Sequence, residues 1–179
     1  EDNIQDIAWH PFDDRILVGM RFGKRWIIDT KDRTWKELEL HTDKIGVAVA
    51  WSQNGRLLAT SEGSDIRIAT DAGEEIALLR GHTASVTDVE WIDDRHCLTS
   101  SIDHSVRLWN IEEKMQTHIW YPTDDPLYAL TISTDKKYFA TGSNRPVQIV
   151  AIDPLELMQT QGLPSFHGSP YGLPKPIER

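Results

Sequence analysis

The sequence is poor in cysteine, because Cys97 is the only one among its 179 residues. A single thiol excludes an intrachain disulfide framework and favours a reducing compartment. We therefore expect an intracellular protein, cytoplasmic or nuclear. Cys97 follows His96 at the start of an apolar segment, and this setting predicts a buried, unreactive thiol rather than a nucleophile.

The chain also lacks long hydrophobic runs and an excess of basic residues. No apolar stretch approaches the roughly 20 residues that a membrane-spanning helix requires, so no membrane contact is expected. The 28 acidic residues outnumber the 19 basic ones and give a formal charge of −9. Because broad nucleic-acid binding depends on neutralising phosphates with Lys and Arg, direct binding to nucleic acid is not expected.

Motifs that carry catalytic or metal chemistry are missing as well. The seven histidines include no pair at a ligand spacing such as H-x-x-x-H, so a zinc site is not expected. No glycine-rich phosphate loop, nucleophile elbow or Cys-His arrangement is found. Paired acids at 13–14, 93–94 and 124–125 could serve acid-base catalysis or calcium binding, but their positions favour solvated turns. We expect no cofactor, no metal and no enzymatic activity.

The sequence does contain an internal repeat of about 41 residues. Trp9, Trp51, Trp91 and Ile132 each end a short alternating run, and they follow one another at intervals of 42, 40 and 41 residues. Two further sets of β-branched, aromatic or Leu-rich segments keep the same spacing, beginning at residues 16, 57, 97 and 138 and at residues 25, 66, 106 and 147. Turns rich in Asp and Asn separate the first segment of each unit from the second.

This repeat predicts an all-β fold, since each segment alternates with a period near two. A fourth, outer strand is predicted in each unit at residues 34–40, 75–80, 114–120 and 155–161. Four antiparallel strands form a small twisted sheet whose two faces both need neighbours, so sheets stacked into a β-propeller are predicted. The four units span residues 4–40, 41–80, 81–121 and 122–160 of a domain at 1–160, and a Pro- and Gly-rich tail or linker follows at 161–179.

The tryptophans extend this prediction. Trp9, Trp51 and Trp91 recur at one inner-strand position, which predicts that they form core between neighbouring units. Trp26 falls at the polar position of the third segment instead and is predicted to be a surface anchor.

One unit carries a distinctive motif that runs from Gly81-His82 through Asp103 to Trp109-Asn110. Through this motif the chain resembles the WD-repeat β-propeller family, with Trp-Asn in place of the usual Trp-Asp. The resemblance implies a structural tetrad of His82, Thr99, Asp103 and Trp109, hydrogen-bonded within one blade, with Ser101 as an alternative to Thr99. Ser, His and Asp can also form a catalytic triad, but only the tetrad explains the tryptophan as well.

The resemblance also implies an incomplete ring, because propellers of this family usually have about seven blades and the sequence holds four repeats. We expect four WD-type blades within a larger propeller. The remaining blades could come from the same longer chain, from another subunit or from a second copy, or four blades could close on themselves. Blade faces without a neighbour would be apolar and prone to aggregation.

WD-repeat proteins commonly bind proteins or peptides on the face formed by the loops between strands two and three and between blades. The candidate partner-binding residues on and near this face are Arg21, Phe22, Lys24, Trp26, Asp65, His104 and Arg145. Aromatic and guanidinium groups are typical of binding hot spots, although ordinary solvated loops would have similar compositions. We expect a non-catalytic interaction scaffold in a multiprotein complex. The alternatives are a sensor or regulatory propeller of a larger signalling enzyme or ATPase, and an enzyme with a site at the channel mouth.

Overall fold

The computed structural model of the chain describes residues 3–40 and 44–152. Within these ranges the regular structure consists of β-strands, which confirms the predicted all-β fold. No helix in the described part is long and apolar enough to span a membrane. The predicted outer strand at 155–161 and the predicted tail at 161–179 lie outside the described residues.

The strands form four antiparallel sheets in chain order, and these sheets are the predicted blades. Blade 1 contains β1 (Ile4–Trp9), β2 (Arg15–Met20), β3 (Arg25–Asp29) and β4 (Thr34–Leu38). Blade 2 contains β5 (Val49–Trp51), β6 (Leu57–Glu62), β7 (Asp65–Thr70) and β8 (Glu75–Leu79). Blade 3 contains β9 (Val86–Trp91), β10 (His96–Ser101), β11 (Val106–Asn110) and β12 (Met115–Trp120). The described strands of blade 4 are β13 (Ala129–Ile132), β14 (Tyr138–Gly142) and β15 (Gln148–Ala151).

The strand register shows that the four blades are copies of one unit. The last residue of each inner strand pairs with the corresponding residue of the second strand: Trp9 with Ile16, Trp51 with Leu58, Trp91 with Cys97 and Ile132 with Phe139. Because side chains alternate across a sheet, each blade has one face towards the following blade, the forward face, and one towards the preceding blade, the rear face. The four paired positions above all lie on the rear face.

The core lies between successive blades rather than inside any one of them. Between blades 1 and 2, the forward-face residues Leu17 and Ile27 pack against Trp51 and Leu58. Corresponding clusters form between blades 2 and 3, around Ile68 and Trp91, and between blades 3 and 4, around Leu108 and Phe139. Each blade therefore depends on its neighbours for burial of its apolar side chains.

The prediction that the inner-strand tryptophans form core between neighbouring blades is confirmed for Trp51 and Trp91, and for Trp9 it stays a prediction. Trp51 and Trp91 are 7% and 4% exposed, whereas Trp9 is 62% exposed. The side chain of Trp9 lies on the rear face of blade 1, and no described blade packs against that face. The sequence period predicts which positions are equivalent, but it does not predict which blade has a neighbour.

Polar contacts also join blades 1 and 2 at the end where the β1–β2 turn lies. The His10 Nε2–H donates to the Gly55 carbonyl at 3.1 Å, and Arg15 forms an ion pair with Asp71 at 2.6 Å. The Arg15 guanidinium lies 5.4 Å from the centre of the Trp51 ring, and the His10 ring meets the same indole edge-on. Trp51 is thus held by both apolar and cationic groups of the preceding blade.

Candidate functional site

Four side chains of blade 3 form a continuous hydrogen-bonded chain. His82 lies just before β9, Thr99 on β10, Asp103 in the following turn and Trp109 on β11. The Trp109 indole N–H donates to Thr99 Oγ1 at 2.8 Å, and Thr99 Oγ1 lies 2.7 Å from His82 Nε2. His82 Nδ1 lies 2.8 Å from Asp103 Oδ2. The network assigns the proton of His82 to Nδ1, so that Thr99 donates to Nε2 and His82 donates to Asp103.

The structure places Thr99, and not Ser101, in this chain. The Ser101 hydroxyl donates to the Ala84 carbonyl at 3.1 Å instead. Thr99 and Ser101 are two residues apart in a strand, so the alternation of side chains places both on the same face and cannot distinguish them. The pairing of β9 with β10 shifts register between Ser100 and Ser101. This shift changes the direction of the Ser101 side chain.

Two further residues of blade 3 complete the network, and sequence reasoning missed both. The Ser105 hydroxyl donates to Asp103 Oδ1 at 2.6 Å, and the Arg107 guanidinium lies 3.5 Å from Asp103 Oδ2. Asp103 also accepts the backbone N–H groups of Thr83 and Ser105. Recurrence of arginine at equivalent positions 67 and 107 was the signal that could have identified Arg107.

The pKa values of both members of the central pair are lowered, so both groups favour their deprotonated forms. Burial lowers the pKa of His82, because a charged imidazole would lose its hydration, and the Asp103 carboxylate only partly offsets this effect. Burial alone would raise the pKa of Asp103, but hydrogen bonds from His82 and Ser105 hold it well below its usual range. The pair is therefore a neutral imidazole that donates to an ionised carboxylate.

This arrangement differs from a hydrolase triad at the position of the nucleophile. A triad requires an accessible hydroxyl on the imidazole Nε2, but the hydroxyl at that position belongs to Thr99, which is fully buried. Thr99 also accepts a hydrogen bond from Trp109. The geometry therefore suits a structural lock between the loop before β9 and the β10–β11 hairpin.

Blade 2 uses a different polar network at the equivalent place. Thr60 corresponds to Thr99, but its buried hydroxyl has no hydrogen-bond partner among the described residues. Instead, the Arg67 guanidinium binds both oxygens of the Glu62 carboxylate, at 2.5 and 2.9 Å, and also contacts Glu75. The hydrogen bond with Glu62, which outweighs the effect of burial, raises the pKa of Arg67. A bidentate ion pair thus replaces the tetrad in this blade.

A second candidate site is the loop rim, formed by the turns between strands two and three (residues 21–24, 63–64, 102–105 and 143–147) and the segments that enter each following blade (44–48, 80–85 and 121–128). Backbone hydrogen bonds connect these segments across the blades. Gly46 N–H donates to the Arg21 carbonyl, Val86 N–H to Gly63 and Leu127 N–H to Ser101. The rim is therefore a hydrogen-bonded belt along one end of the four blades.

The predicted partner-binding residues are distributed along this belt. The Arg21 guanidinium lies 5.5 Å from the centre of the exposed Phe22 ring. Lys24 lies 3.7 Å from Glu37, and Arg145 lies 2.5 Å from Asp125 in blade 4. Blades 2 and 3 separate Arg145 from Arg21 and Phe22 in the stack, so these side chains do not form one local cluster.

The remaining predicted binding residues, Asp65, His104 and Trp26, each contact an identified neighbour. The Asp65 carboxylate pairs with Lys44 at 2.6 Å, and His104 Nδ1 contacts the Asp124 carbonyl across the gap to blade 4. His104 has a positive φ of 73°, which is unfavourable for a side-chain-bearing residue and typical of functional or constrained turns. Trp26 lies on the rear face of blade 1, where its ring packs 5.1 Å from that of Trp35.

Two aspartates on inner strands form hydrogen bonds to the backbone of a neighbouring blade. Asp6 Oδ2 accepts the N–H of Val49 in blade 2 at 2.9 Å, and Asp88 Oδ2 accepts the N–H of Leu130 in blade 4 at 2.8 Å. Each aspartate follows a register shift in its own strand. Because the two residues occupy equivalent positions, the repeat itself was the signal by which sequence reasoning could have found them. They connect the inner strands of neighbouring blades.

Glu90 lies on the same strand as Asp88 and faces blade 4, at a position where blades 1 and 2 have Ala8 and Ala50. Burial, together with the nearby Asp88 carboxylate, raises its pKa to about 7. Burial also raises the pKa of Asp88 to about 6. Among residues 3–40 and 44–152, however, no group of three His, Cys, Asp or Glu side chains could hold a metal ion.

The remaining predicted residue, Cys97, is fully buried in the core between blades 2 and 3. Burial raises the pKa of its thiol, which keeps the sulfur protonated. Its position agrees with the predicted unreactive thiol.

Comparison with known proteins supports the repeat assignment. The model of the family described as "WD domain, G-beta repeat" matches residues 32–68 and 73–110. Each match begins ahead of an outer strand and ends in the third strand of the following blade. The matches thus include the segment that links one blade to the next.

Several proteins are similar to the chain in sequence. The SIR4-interacting protein SIF2 of Saccharomyces cerevisiae is 26% identical over 137 residues, which cover 75% of this chain and 25% of that protein. One of the subunits of chromatin assembly factor 1 of Mus musculus is 28% identical, covering 73% of this chain and 33% of its own length. The ribosome biogenesis protein WDR12 homolog of Trichoplax adhaerens is 40% identical over 74 residues, which cover 39% of this chain and 17% of that protein. The chain spans a third or less of each of these relatives.

Proposed function

Because this chain belongs to the WD-repeat family, we propose that it is a non-catalytic protein-interaction scaffold, a propeller platform within a multiprotein complex. Its partners are one or more proteins or peptides. Blades from the same longer chain or from another subunit complete the propeller. The names of two relatives, a component of a chromatin assembly factor and a ribosome biogenesis protein, favour an intracellular location in the cytoplasm or nucleus.

The observation that carries the proposal is the loop rim. Its backbone hydrogen bonds pass from blade to blade and fix the relative positions of the loops. A surface that is already ordered loses little conformational entropy when a partner binds. Charged side chains of both signs and the aromatic ring of Phe22 lie along this surface, which suits recognition of a polar peptide with a hydrophobic anchor.

The proposed binding residues on or near the rim are Arg21, Phe22, Lys24, Asp65, His104 and Arg145. Arg21 and Phe22 form the aromatic and cationic part, because the guanidinium lies close to the ring. Trp26 lies on a blade face rather than in a rim segment, so its contribution requires a partner that extends over the edge of blade 1.

The test is capture of binding partners from an extract by the purified protein. The variant Phe22→Ala/Arg145→Glu changes the rim, and the matched control Phe12→Ala/Arg56→Glu makes the same substitutions at exposed positions in the turns at the other end of blades 1 and 2. We expect the rim variant to lose partners that the control retains. Equal recovery with both variants would contradict the proposed binding face.

A second candidate function is favoured by the small share of its relatives' lengths that the chain spans. The propeller could be the sensor or regulatory part of a longer signalling enzyme or ATPase. A nucleotide-binding domain encoded beside these repeats would favour this function over a free-standing scaffold.

A further inference from the structure

The part of the loop rim that belongs to blades 1 and 2 is cationic. Its described segments (21–24, 44–48, 63–64 and 80–85) contain four basic residues and no acidic one, although the whole chain has a formal charge of −9. The four basic residues are Arg21, Lys24, Lys44 and Arg80. This part of the surface therefore differs in charge from the protein as a whole.

Two exposed apolar side chains lie among these cations. Phe22 is 54% exposed and Ile45 is 48% exposed. The backbone brings their segments together, because the Gly46 N–H donates to the Arg21 carbonyl at 3.3 Å. The turn of blade 1 and the segment that enters blade 2 thus form one surface. We call this surface and its continuation towards blade 3 the cationic rim, which consists of Arg21, Phe22, Lys24, Lys44, Ile45 and Arg80.

Backbone hydrogen bonds hold the cationic rim in a single arrangement. The Gly63 N–H donates to the Ile45 carbonyl at 2.7 Å, and the Val86 N–H donates to the Gly63 carbonyl at 2.8 Å. These bonds join the loops of blades 1, 2 and 3 in series. A surface that is ordered before binding loses little conformational entropy when a ligand binds.

Two cations of the rim share one carboxylate. Lys44 Nζ lies 2.6 Å from Asp65 Oδ2, and Arg80 Nε lies 3.9 Å from the same oxygen. The three groups together keep a net positive charge, and the carboxylate is buried. The Lys44 side chain is 50% exposed and the Arg80 side chain is 73% exposed, so both are accessible to a ligand.

Arg21 and Phe22 present a charge and an apolar surface side by side. The Arg21 guanidinium lies 5.5 Å from the centre of the Phe22 ring. A ligand side chain that packs on this ring therefore has a cation within reach of the neighbouring ligand residue. This geometry suits a peptide in which a large apolar residue stands next to Asp or Glu.

The rim of blades 3 and 4 has the opposite charge. Its described segments (102–105, 121–128 and 143–147) contain three aspartates and one arginine. Asp124 is exposed there, and Asp125 pairs with Arg145 at 2.5 Å. An acidic ligand that extended over this part would meet like charge, which favours its binding at blades 1 and 2. A nucleic acid fits less well, because its affinity depends on neutralising many phosphates along an extended path.

We propose that the cationic rim binds an acidic peptide segment of a partner protein, with the carboxylates of the segment on the basic side chains and a large apolar residue against Phe22 and Ile45. This inference rests on the proposed function, since it names the chemistry of the ligand that the loop rim would bind. The surface lies at the end of the blades and not on a blade face, so the proposal is the same whether or not further blades precede or follow those described.

The test begins with selection of random dodecapeptides on the purified protein, and the affinity of a labelled selected peptide is then measured by fluorescence anisotropy. We expect the selected peptides to be rich in Asp and Glu and to contain a large apolar residue. The variant Arg21→Glu/Arg80→Glu should bind the peptide at least about tenfold more weakly, because two exposed cations become like charges. Replacing the acidic residues of the peptide by Asn and Gln should have a similar effect while the protein stays unchanged.

The matched control for the charge change is Arg56→Glu/Arg95→Glu. It reverses two exposed arginines in the turns at the other end of blades 2 and 3, and we expect it to keep the wild-type affinity within about twofold, because screening weakens charges at that distance. Phe22→Ala tests the apolar part and should weaken binding by about tenfold, whereas the exposed Phe12→Ala should not. Cooperative unfolding of each variant shows that the fold is retained.

Several outcomes would overturn the proposal. They are a selection that yields no peptide or peptides without an excess of Asp and Glu, equal affinities of the rim and control charge variants, and binding of a labelled oligo(dT) strand in place of any acidic peptide. The last result would assign the cationic rim to nucleic acid. Neutral or basic peptides that are lost in Phe22→Ala would keep the loop rim as the binding face and remove only the acidic ligand, so failure of this inference is distinguishable from failure of the proposed function.

Discussion

The hydroxyl of Thr99 is the atom on which the blade 3 network depends, and its removal gives a quantitative prediction. In Thr99→Val, a methyl group of similar size replaces the hydroxyl. The Trp109 indole N–H then loses its acceptor, and His82 Nε2 loses its donor. Both groups lie in a buried environment, so water cannot replace the lost partner.

The magnitude follows from the number of groups left unpaired. Each unsatisfied buried donor or acceptor costs about 1–3 kcal/mol, while the added methyl recovers less than about 1 kcal/mol of apolar burial. We therefore expect the free energy of unfolding to fall by about 2–4 kcal/mol. For a protein of this size that corresponds to a decrease in Tm of roughly 5–15 °C.

Blade 2 offers a matched control for this substitution. Thr60 has the same strand register as Thr99 and is also fully buried, but its hydroxyl has no partner among the described residues. Thr60→Val removes an unsatisfied polar atom, so it should leave stability unchanged or raise it by up to about 1 kcal/mol. The same chemical change is thus expected to destabilise the protein at position 99 and not at the equivalent position 60.

Equilibrium urea unfolding, followed by tryptophan fluorescence and circular dichroism with a common m-value, provides the assay. A Thr99→Val variant within about 0.5 kcal/mol of wild type would refute the role assigned to the hydroxyl. Equal destabilisation by Thr60→Val would also refute it, because the loss could then be attributed to the valine itself.

Three further predictions concern other contacts. Asp103→Ala should reduce the free energy of unfolding by about 1–3 kcal/mol in the same urea assay, because His82 and Ser105 lose their acceptor; an unchanged free energy of unfolding would exclude the tetrad. Gly55→Ala should cost more than Gly63→Ala in a thermal melt, since both glycines have positive φ but only a Cβ at Gly55 would collide with the His10 ring; equal losses would contradict this. The raised pKa of Glu90 means that stability is lost as pH rises from about 4.5 to about 7, so Glu90→Gln should add about 1–2 kcal/mol at pH 8 and nothing at pH 4. Equal effects at both pH values, in urea unfolding, would exclude this linkage.

The positions of the strands were predictable because the same strand pattern recurs in each repeat. Segments around Trp9, Trp51 and Trp91 alternate with period two and share one spacing, so each confirms the assignment of the others. The family resemblance also led to His82, Asp103 and Trp109, since all three lie in the one unit that retains the full motif. A hydrogen-bonded chain within one blade requires no knowledge of how the blades pack.

Features that depend on neighbouring blades were not predictable in this way. The exposure of Trp9 depends on what covers its blade, and the contact of Asp88 with Leu130 crosses from one blade to the next. Within blade 3 itself, the choice of Thr99 over Ser101 was not predictable either, because it depends on a register shift that alternation alone does not reveal. In each case the sequence pattern gives the position of a residue but not its partner.

Comparison of blades 2 and 3 indicates which contacts the fold requires. Blade 3 has the tetrad, whereas blade 2 has the Glu62–Arg67 ion pair and an unpaired Thr60 hydroxyl, yet both blades bury a tryptophan of the same register against the blade before them. The apolar contact between blades is therefore the common element, and the polar network within a blade can be replaced. Blade 4 has Ile132 at the same register, and Ile132 packs in the cluster between blades 3 and 4 with Leu108 and Phe139. An apolar side chain at this register is therefore the shared requirement, and a tryptophan is not.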